Sequence, residues 1–302
     1  MKDTYVVCGS TGNVGSRVAH SLLDAGQSVR AIGRDRVKLG PLAAKGADPR
    51  PGELGDPDFL AKAFQGARAV FAMIPPKYDA ADFRGYQDGI AESIVAALVK
   101  SGVPRVVTLS SVGAHLSGGT GPIVGLHDFE GRLAALRSAE VVHLRAGYFM
   151  ENHLWSMPVV RGMGIQGSPL RPDVAVPMVA TKDVGDEAAR QLCAGPSTGH
   201  KVRYLLGPRD VTMSEAAGIL GKAIGKADLA YVRFPEEDAR RAMAGMGMSE
   251  SVVEAMLEMY RGFNAGTIRP TRERDASAAS VTPTTLEEFA ETVFAPSYRA
   301  AA

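Results

Sequence analysis

Three glycines near the N-terminus have the spacing of a nucleotide-binding turn. They follow the apolar run 5–8 and precede the helical apolar pattern of 14–23, so a strand leads through a glycine turn into a helix. Such glycines permit a sharp turn, close approach to a pyrophosphate and tight helix packing, with the anion at the positive helix end. The alternative is a turn with a purely structural role. We predict cofactor contacts from the entire turn, which comprises Gly9, Ser10, Thr11, Gly12, Asn13, Val14 and Gly15.

The residue after the second predicted strand, 29–32, indicates which dinucleotide is preferred. Arg34 lies roughly twenty residues beyond the glycine turn, where the ribose-reading residue belongs. An acid there favours NAD, whereas an arginine forms charge-assisted hydrogen bonds with the 2′-phosphate of NADP. Asp35 is adjacent and acidic, but successive residues at a strand end point in different directions. We predict NADP(H) as the cofactor; the alternative is a solvated Arg34 without a ligand.

Further candidates lie where predicted strands end. Doubly wound parallel sheets bind ligands outside the carboxyl ends of their strands. The fourth predicted strand, 69–73, therefore places Met73 and Ile74 as cofactor contacts and Pro75 in the substrate pocket. Ser110 ends the fifth strand; it either binds ribose, nicotinamide or substrate, or serves the local turn.

Apolar side chains from two regions are candidates for the walls of this pocket. Tyr148 and Phe149 follow the sixth predicted strand, 141–144, and either support the cofactor ring and substrate or belong to the core. Met246 lies in a methionine-rich stretch, 243–259, which is either core filler or a flexible lid over the crevice. We predict that all three side chains contact the substrate.

The chain lacks the usual proton-transfer pair of short-chain dehydrogenases, Tyr-x-x-x-Lys, because none of its eight tyrosines has a lysine four residues later. His127 is the best local replacement, since imidazole titrates near neutrality. The alternative is a histidine near a helix start that only packs or forms a hydrogen bond. Asp128 and Glu130 are expected to favour the N-terminus of that helix rather than act as an acid–base pair.

Alternating strand and helix signals predict the scaffold that positions these residues. We expect an α/β protein with a Rossmann-type, doubly wound parallel sheet and a smaller C-terminal α/β domain. The third strand, 47–52, contains two prolines and suits a sheet edge. The Rossmann domain is predicted at 1–152, with 180–206 returning to it, and the substrate or lid domain at 153–302. Capping boxes are predicted at 212–215 and 284–287.

Composition narrows the classes of partner. The 302 residues carry a formal net charge of +1, which gives no reason to expect nucleic acid. No apolar run is long enough for a membrane span, and the two cysteines fit neither a metal site nor a disulfide framework. We therefore expect a cytoplasmic protein without nucleic acid, membrane or metal as partners, with a homodimer as one possible assembly; the small planar substrate is what the resemblance described below implies.

Taken together, the motifs resemble those of the NmrA-like group of atypical short-chain dehydrogenases. The glycine turn, Arg34-Asp35, the strand ends and the His127 segment carry the resemblance, as does the closing 282–289. Within that group, the His127 helix and the stretch 246–285 look most similar to NADPH-dependent quinone, triphenylmethane dye and azo-dye reductases.

The resemblance implies a Rossmann domain, a small C-terminal domain and a crevice between them. It implies hydride transfer from NADPH to a planar, electron-poor acceptor such as a quinone or dye. The group also contains NADP-sensing regulators without catalysis, so a sensor acting through a protein partner is the alternative. An epimerase or dehydratase is disfavoured because the tyrosine–lysine pair is missing.

Overall fold

The computed structural model describes residues 3–195, 198–271 and 281–300. The stretch 246–285, which carries part of the family resemblance, includes residues 272–280, and these lie outside the described residues. The described strands are β1 (Thr4–Val7), β2 (Ser28–Gly33), β3 (Asp48–Pro51), β4 (Ala69–Ala72), β5 (Arg105–Ser111), β6 (Glu140–Ala146), β7 (Tyr148–Phe149), β8 (Ile165–Ser168), β9 (Ala175–Val179), β10 (His200–Leu205), β11 (Asp210–Thr212) and β12 (Ala230–Arg233).

The first helix, α1, begins within the glycine turn, at Asn13. The helices are α1 (Asn13–Asp24), α2 (Gly40–Ala44), α3 (Pro57–Phe64), α4 (Phe83–Ser101), α5 (Ile123–Leu133), α6 (Met157–Met163), α7 (Thr181–Leu192), α8 (Met213–Ala223), α9 (Glu236–Gly245), α10 (Glu250–Asn264), α11 (Leu286–Phe289) and α12 (Ala295–Ala300). A 3₁₀ helix spans Met150–Ser156, and a π-helical turn spans Ala290–Phe294.

Seven parallel strands form the central sheet in the order β10-β6-β5-β4-β1-β2-β3. Alternate residues of each strand enter opposite core layers, as Val7 and Val6 do in β1. Helices α1 and α7 cover one face, and α3, α4 and α5 cover the other. This arrangement confirms the doubly wound Rossmann-type sheet predicted from the alternating pattern.

The proline-containing third strand lies at the sheet edge, as predicted. All four residues of β3 are exposed, and among the described strands β3 pairs only with β2. Proline lacks the N–H that a second neighbouring strand would require, so an edge position costs this strand no hydrogen bond. The neighbouring α2 likewise contains Pro41 in its first turn, where a missing N–H has no intrahelical partner to lose.

The later elements divide between the central sheet and a second body of structure. Helix α7 packs on α1, and β10 pairs with β6, so both join the central layers. Two small sheets, β11-β9-β7 and β12-β8, surround a separate apolar cluster that includes Met178, Leu220 and Phe289. The domain boundary at residue 152 stays a prediction.

One of the two capping boxes forms as predicted. At α8, the Thr212 hydroxyl accepts from the Glu215 N–H, while the Glu215 carboxylate accepts from the Thr212 N–H. The second is wrong by one residue: Thr285, not Thr284, is the N-cap of α11. The buried Thr284 instead donates its N–H and hydroxyl to Asp183 at 2.9 and 2.7 Å.

Candidate functional site

The three glycines of the turn meet different steric demands. Gly9 has a φ of +65°, which favours glycine. At Gly15, a Cβ would lie 2.2 Å from the Gly9 carbonyl oxygen, so close helix packing requires glycine there. Gly12 has φ −91° and ψ 172°, and the nearest atom to its ideal Cβ is the Gly9 oxygen at 3.4 Å. Neither backbone conformation nor protein packing therefore requires glycine at position 12.

The N-terminus of α1 faces solvent with its donors open. Gly12 is the N-cap, and among the described residues no side chain caps the helix and no acid lies in its first turn. Thr11, Gly12 and Asn13 are all exposed. The first N–H groups of a helix have no intrahelical partner and carry the positive end of its dipole. This end of α1 can therefore receive an anion without displacing a side chain.

Two residues of the predicted cofactor turn use their side chains internally. The Ser10 hydroxyl is buried and donates to the Val7 carbonyl at 2.6 Å, while the Ser10 N–H donates to Ile32 at 2.9 Å. Ser10 thus stabilises the turn itself, and its predicted contact with the cofactor stays a prediction. Val14 is buried in the core layer, so only its backbone faces the open helix end.

Arg34 and Asp35 diverge at the end of β2, which separates their roles. The Asp35 carboxylate accepts from the N–H groups of Val37 and Lys38, at 2.8 and 3.3 Å, and so closes the following turn. Arg34 is exposed, and the described part of the chain offers its guanidinium no hydrogen bond or ion pair. Asp35, the acidic residue next to Arg34 that could instead have faced the ribose, is therefore engaged in the turn. The Arg34 side chain remains available to bind a ligand.

The end of β4 lies directly against the glycine turn. A Cβ on Gly9 would be 2.9 Å from the Met73 sulfur, which places this thioether beside the turn. Met73, Ile74 and Pro75 are all half-buried. The structure therefore brings Met73 together with the glycine turn, while the predicted contacts of Ile74 and Pro75 with ligands stay predictions.

Tyr148 and Phe149 pack into different bodies of the molecule. Phe149 contacts the Rossmann core, whereas Tyr148 packs in the C-terminal cluster, with its ring 5.8 Å from His153 and 6.4 Å from Phe263. Burial raises the pKa of Tyr148 well above its ordinary value, so its hydroxyl stays protonated. Both residues are half-buried, and β7 thus connects the two bodies at the predicted crevice.

A buried ion pair occupies the carboxyl end of β5 and β6. Arg145 binds the Glu130 carboxylate with Nε and Nη2 at 3.0 and 2.6 Å, and the Ser110 hydroxyl donates to the same carboxylate. Ser110 is buried and its hydroxyl serves this ion pair, while its predicted contact with the cofactor stays a prediction. The role predicted for the two acids is wrong, because α5 has no acid in its first turn and Asp128 pairs with Arg84.

His127 anchors the loop before α5. Its Nδ1 lies 2.9 Å from the Ala114 carbonyl oxygen, which can only accept, so Nδ1 carries a proton and the neutral ring has its lone pair on Nε2. His115 lies in the same loop, and burial lowers the pKa of its imidazole. The contact to Ala114 gives His127 a structural role; a role in proton transfer stays a prediction.

The methionine-rich stretch forms core and surface rather than one unit. Met243 is buried, and Met248 and Met256 pack beside it, which agrees with core filling. Met246 is 57% exposed at the end of α9, where Gly247 has a φ of +84°. Met246 is thus not enclosed in a pocket, and its contact with substrate stays a prediction.

These features define an α/β protein of the Rossmann class. The chain belongs to the NmrA-like family, whose model matches residues 1–290. This membership confirms the resemblance inferred from the motifs.

Two relatives that match most of this chain are reductases. The chain is 29% identical over 257 residues to an NAD(P)H azoreductase of Xenophilus azovorans, which covers 84% of this chain and 85% of that protein. It is also 29% identical over 293 residues to (4-alkanoyl-5-oxo-2,5-dihydrofuran-3-yl)methyl phosphate reductase of Streptomyces griseus, covering 93% and 91%. The NADPH-dependent quinone oxidoreductase of Escherichia coli, solved with NADPH, has the same fold, with a TM-score of 0.81 and 24% identity over 96% of this chain and 99% of that one.

Over residues 3–195, 198–271 and 281–300, no helix combines the length and apolar character needed to cross a bilayer. The same ranges contain no group of three or more His, Cys, Asp or Glu side chains placed to hold a metal ion.

Proposed function

We propose that this protein is an NADPH-dependent reductase that transfers hydride to a planar, electron-poor acceptor such as a quinone or a dye. The observation that carries the proposal is Gly12, a glycine that neither φ nor packing requires, at an uncapped helix end. A bound pyrophosphate explains why a side chain is absent there. The reductase relatives support the reaction class, and the azoreductase and quinone oxidoreductase names support the cofactor.

The residues around the crevice suit the separate parts of the cofactor. Thr11, Gly12 and Asn13 are exposed at the α1 N-terminus and would hold the pyrophosphate. The unpaired Arg34 would bind the adenosine 2′-phosphate and favour NADPH over NADH. Met73 would line the approach to the turn, since its sulfur lies against Gly9.

The nicotinamide, when bound, supplies a hydride to the acceptor, and one proton completes a two-electron reduction of a quinone to a hydroquinone. Tyr148 and Phe149 form apolar walls that orient a flat ring and exclude water, because β7 joins the two bodies of the molecule. The second body of structure, whose apolar cluster includes Met178, Leu220 and Phe289, would supply the substrate side of the crevice. The proton comes from water or from His127, whose Nε2 is free of the Ala114 contact and carries a proton in the imidazolium form.

Steady-state oxidation of NADPH, followed at its near-ultraviolet absorbance with a panel of quinones, azo dyes and enones, tests the proposal. We expect turnover with NADPH to exceed that with NADH. Protein that binds NADPH in calorimetry but oxidises none with any acceptor would overturn the reductase and leave the NADP(H) sensor. His127→Gln separates the proton sources: a several-fold loss of kcat with unchanged NADPH affinity supports His127, and unchanged kcat supports water.

A further inference from the structure

Two aromatic side chains meet at the surface between the loop after β4 and the 3₁₀ helix after β7. The rings of Tyr78 and Trp155 have centroids 5.6 Å apart and planes inclined at 77°, an edge-to-face contact. Tyr78 comes six residues after the end of β4, and Trp155 comes six residues after the end of β7. The segments that carry the two rings follow Met73 after β4 and Tyr148 in β7, which are two of the residues proposed to line the crevice.

Each ring is held on an ordered backbone. Ser249, the N-cap of α10, donates its N–H to the Tyr78 carbonyl at 2.9 Å and its hydroxyl to the Ala80 carbonyl. On the other side, Met150 and His153 are buried within the 3₁₀ helix that carries Trp155. These contacts hold the backbone segments that carry the two rings.

Both aromatic rings are partly exposed to solvent. Tyr78 is 38% exposed, and Trp155, the only tryptophan of the chain, is 55% exposed. Trp155 thus leaves more than half of its surface in water, and removing apolar surface from water is favourable. A ligand that covers the indole during the reaction cycle would gain this free energy.

We propose that Tyr78 and Trp155 form the outer contact for the acceptor and favour acceptors with two or more fused or conjugated rings. This inference rests on the proposed reductase function. An electron-poor flat ring stacks favourably on an electron-rich indole, and the neighbouring Tyr78 ring packs against that indole. A second fused or conjugated ring gives the acceptor additional apolar area that the outer pair can cover. The outer contact thus selects acceptors by size and planarity.

Steady-state kinetics of three variants test whether Trp155 selects the acceptor. Trp155→Leu, which keeps an apolar side chain without a ring, is expected to raise the KM for 1,4-naphthoquinone about 3- to 10-fold, with kcat and the KM for NADPH unchanged. Trp155→Phe should recover most of the loss. Val99→Ala is the control, because Val99 is 58% exposed at the far end of α4, and it should match the wild type. An unchanged naphthoquinone KM in Trp155→Leu would overturn the proposal while wild-type turnover keeps the reductase function intact.

Binding without turnover provides the second readout, since NADP⁺ supplies no hydride. Fluorescence of the single tryptophan in the NADP⁺-loaded protein should be quenched saturably by 1,4-naphthoquinone but only collisionally by 1,4-benzoquinone. Tyr78→Ala should raise the half-saturating naphthoquinone concentration several-fold. Collisional quenching by both compounds would overturn the aromatic contact. Saturable quenching in a protein that oxidises no NADPH would instead support the contact and contradict the reductase function.

Discussion

At the N-terminus of α8, Thr212 and Glu215 form a reciprocal capping box, whereas the N-terminus of α1 begins at Gly12 and has no side-chain cap among the described residues. The two helices are of similar length, with 11 and 12 residues. A side-chain cap typically stabilises a helix by about 1 kcal/mol. The N-terminus of α1 lacks this stabilisation, and its backbone N–H donors stay exposed.

This difference separates a helix end that serves the fold from one available to a ligand. In α8 the open N–H groups are satisfied within the chain, so no external anion is needed. In α1 the glycine at the N-cap leaves both the donors and the space beside them open. Helix α10 follows the α8 pattern, since the Ser249 hydroxyl accepts from the Val252 N–H.

The largest expected effect comes from placing a side chain at the open end. Gly12→Val should weaken NADPH binding at least about a hundredfold, or ~3 kcal/mol, because the isopropyl group would occupy the pyrophosphate site. The melting temperature should change little, since φ and packing accept a side chain at this position. Calorimetric titration and thermal unfolding measure the two quantities.

The matched control for this variant is Gly15→Ala. Its Cβ would lie 2.2 Å from the Gly9 oxygen, so this change should destabilise the fold itself. Normal NADPH affinity in Gly12→Val would show that the α1 end is open for a reason other than the cofactor.

The second-largest effect is expected at Arg34, the positively charged side chain proposed to bind the 2′-phosphate. Arg34→Ala should lower NADPH affinity about ten- to a hundredfold and leave NADH affinity unchanged, because a charge-assisted hydrogen bond to the 2′-phosphate contributes roughly 1.5–3 kcal/mol. Arg36→Ala, another exposed arginine of the same turn, is the control. Equal loss for both cofactors would contradict recognition of the 2′-phosphate.

A smaller effect is expected at the N-terminus of α8, which Thr212 and Glu215 cap. Thr212→Ala should lower the free energy of unfolding by about 1 kcal/mol, because the N–H of Glu215 loses its acceptor. Urea denaturation measures this loss, and NADPH affinity should equal that of the wild type. A changed affinity would mean that the two helix ends are energetically coupled.

The smallest effect is the pH dependence of the same capping box. Hydrogen bonds from the backbone and side chain of Thr212 lower the pKa of Glu215 below its ordinary value of 4.5. The unfolded chain therefore binds the proton first, so the stabilisation is complete above pH 4.5 and is lost as the pH falls through the lowered folded-state pKa. In urea denaturation from pH 7 to pH 3, the stability difference between wild type and Glu215→Gln should shrink below pH 4.5. A constant difference would show that ionisation of Glu215 does not contribute.

The sequence by itself determined the features that depend on residues close together along the chain. The strand–turn–helix context of Gly9 and Gly15, the edge position of β3 and the Thr212 capping box could all be predicted, because each follows from φ preferences, missing donors or short spacings. The alternating elements also fixed the Rossmann class, since parallel strands need crossover helices.

Only the tertiary structure decided which polar side chains are free to bind a ligand. Ser110 ends a strand as predicted, yet its hydroxyl is bound to Glu130, twenty residues away, and Glu130 is bound to Arg145. Thr284 fits the capping spacing but is taken by Asp183, which lies 101 residues earlier, so Thr285 caps the helix instead. Each donor or acceptor binds the partner that folding brings nearest, and the identity of a partner distant in sequence is not encoded in local spacing. The contact between Tyr78 and Trp155 likewise depends on the packing of a loop against a 3₁₀ helix that is distant in sequence. Neither segment's sequence predicts it.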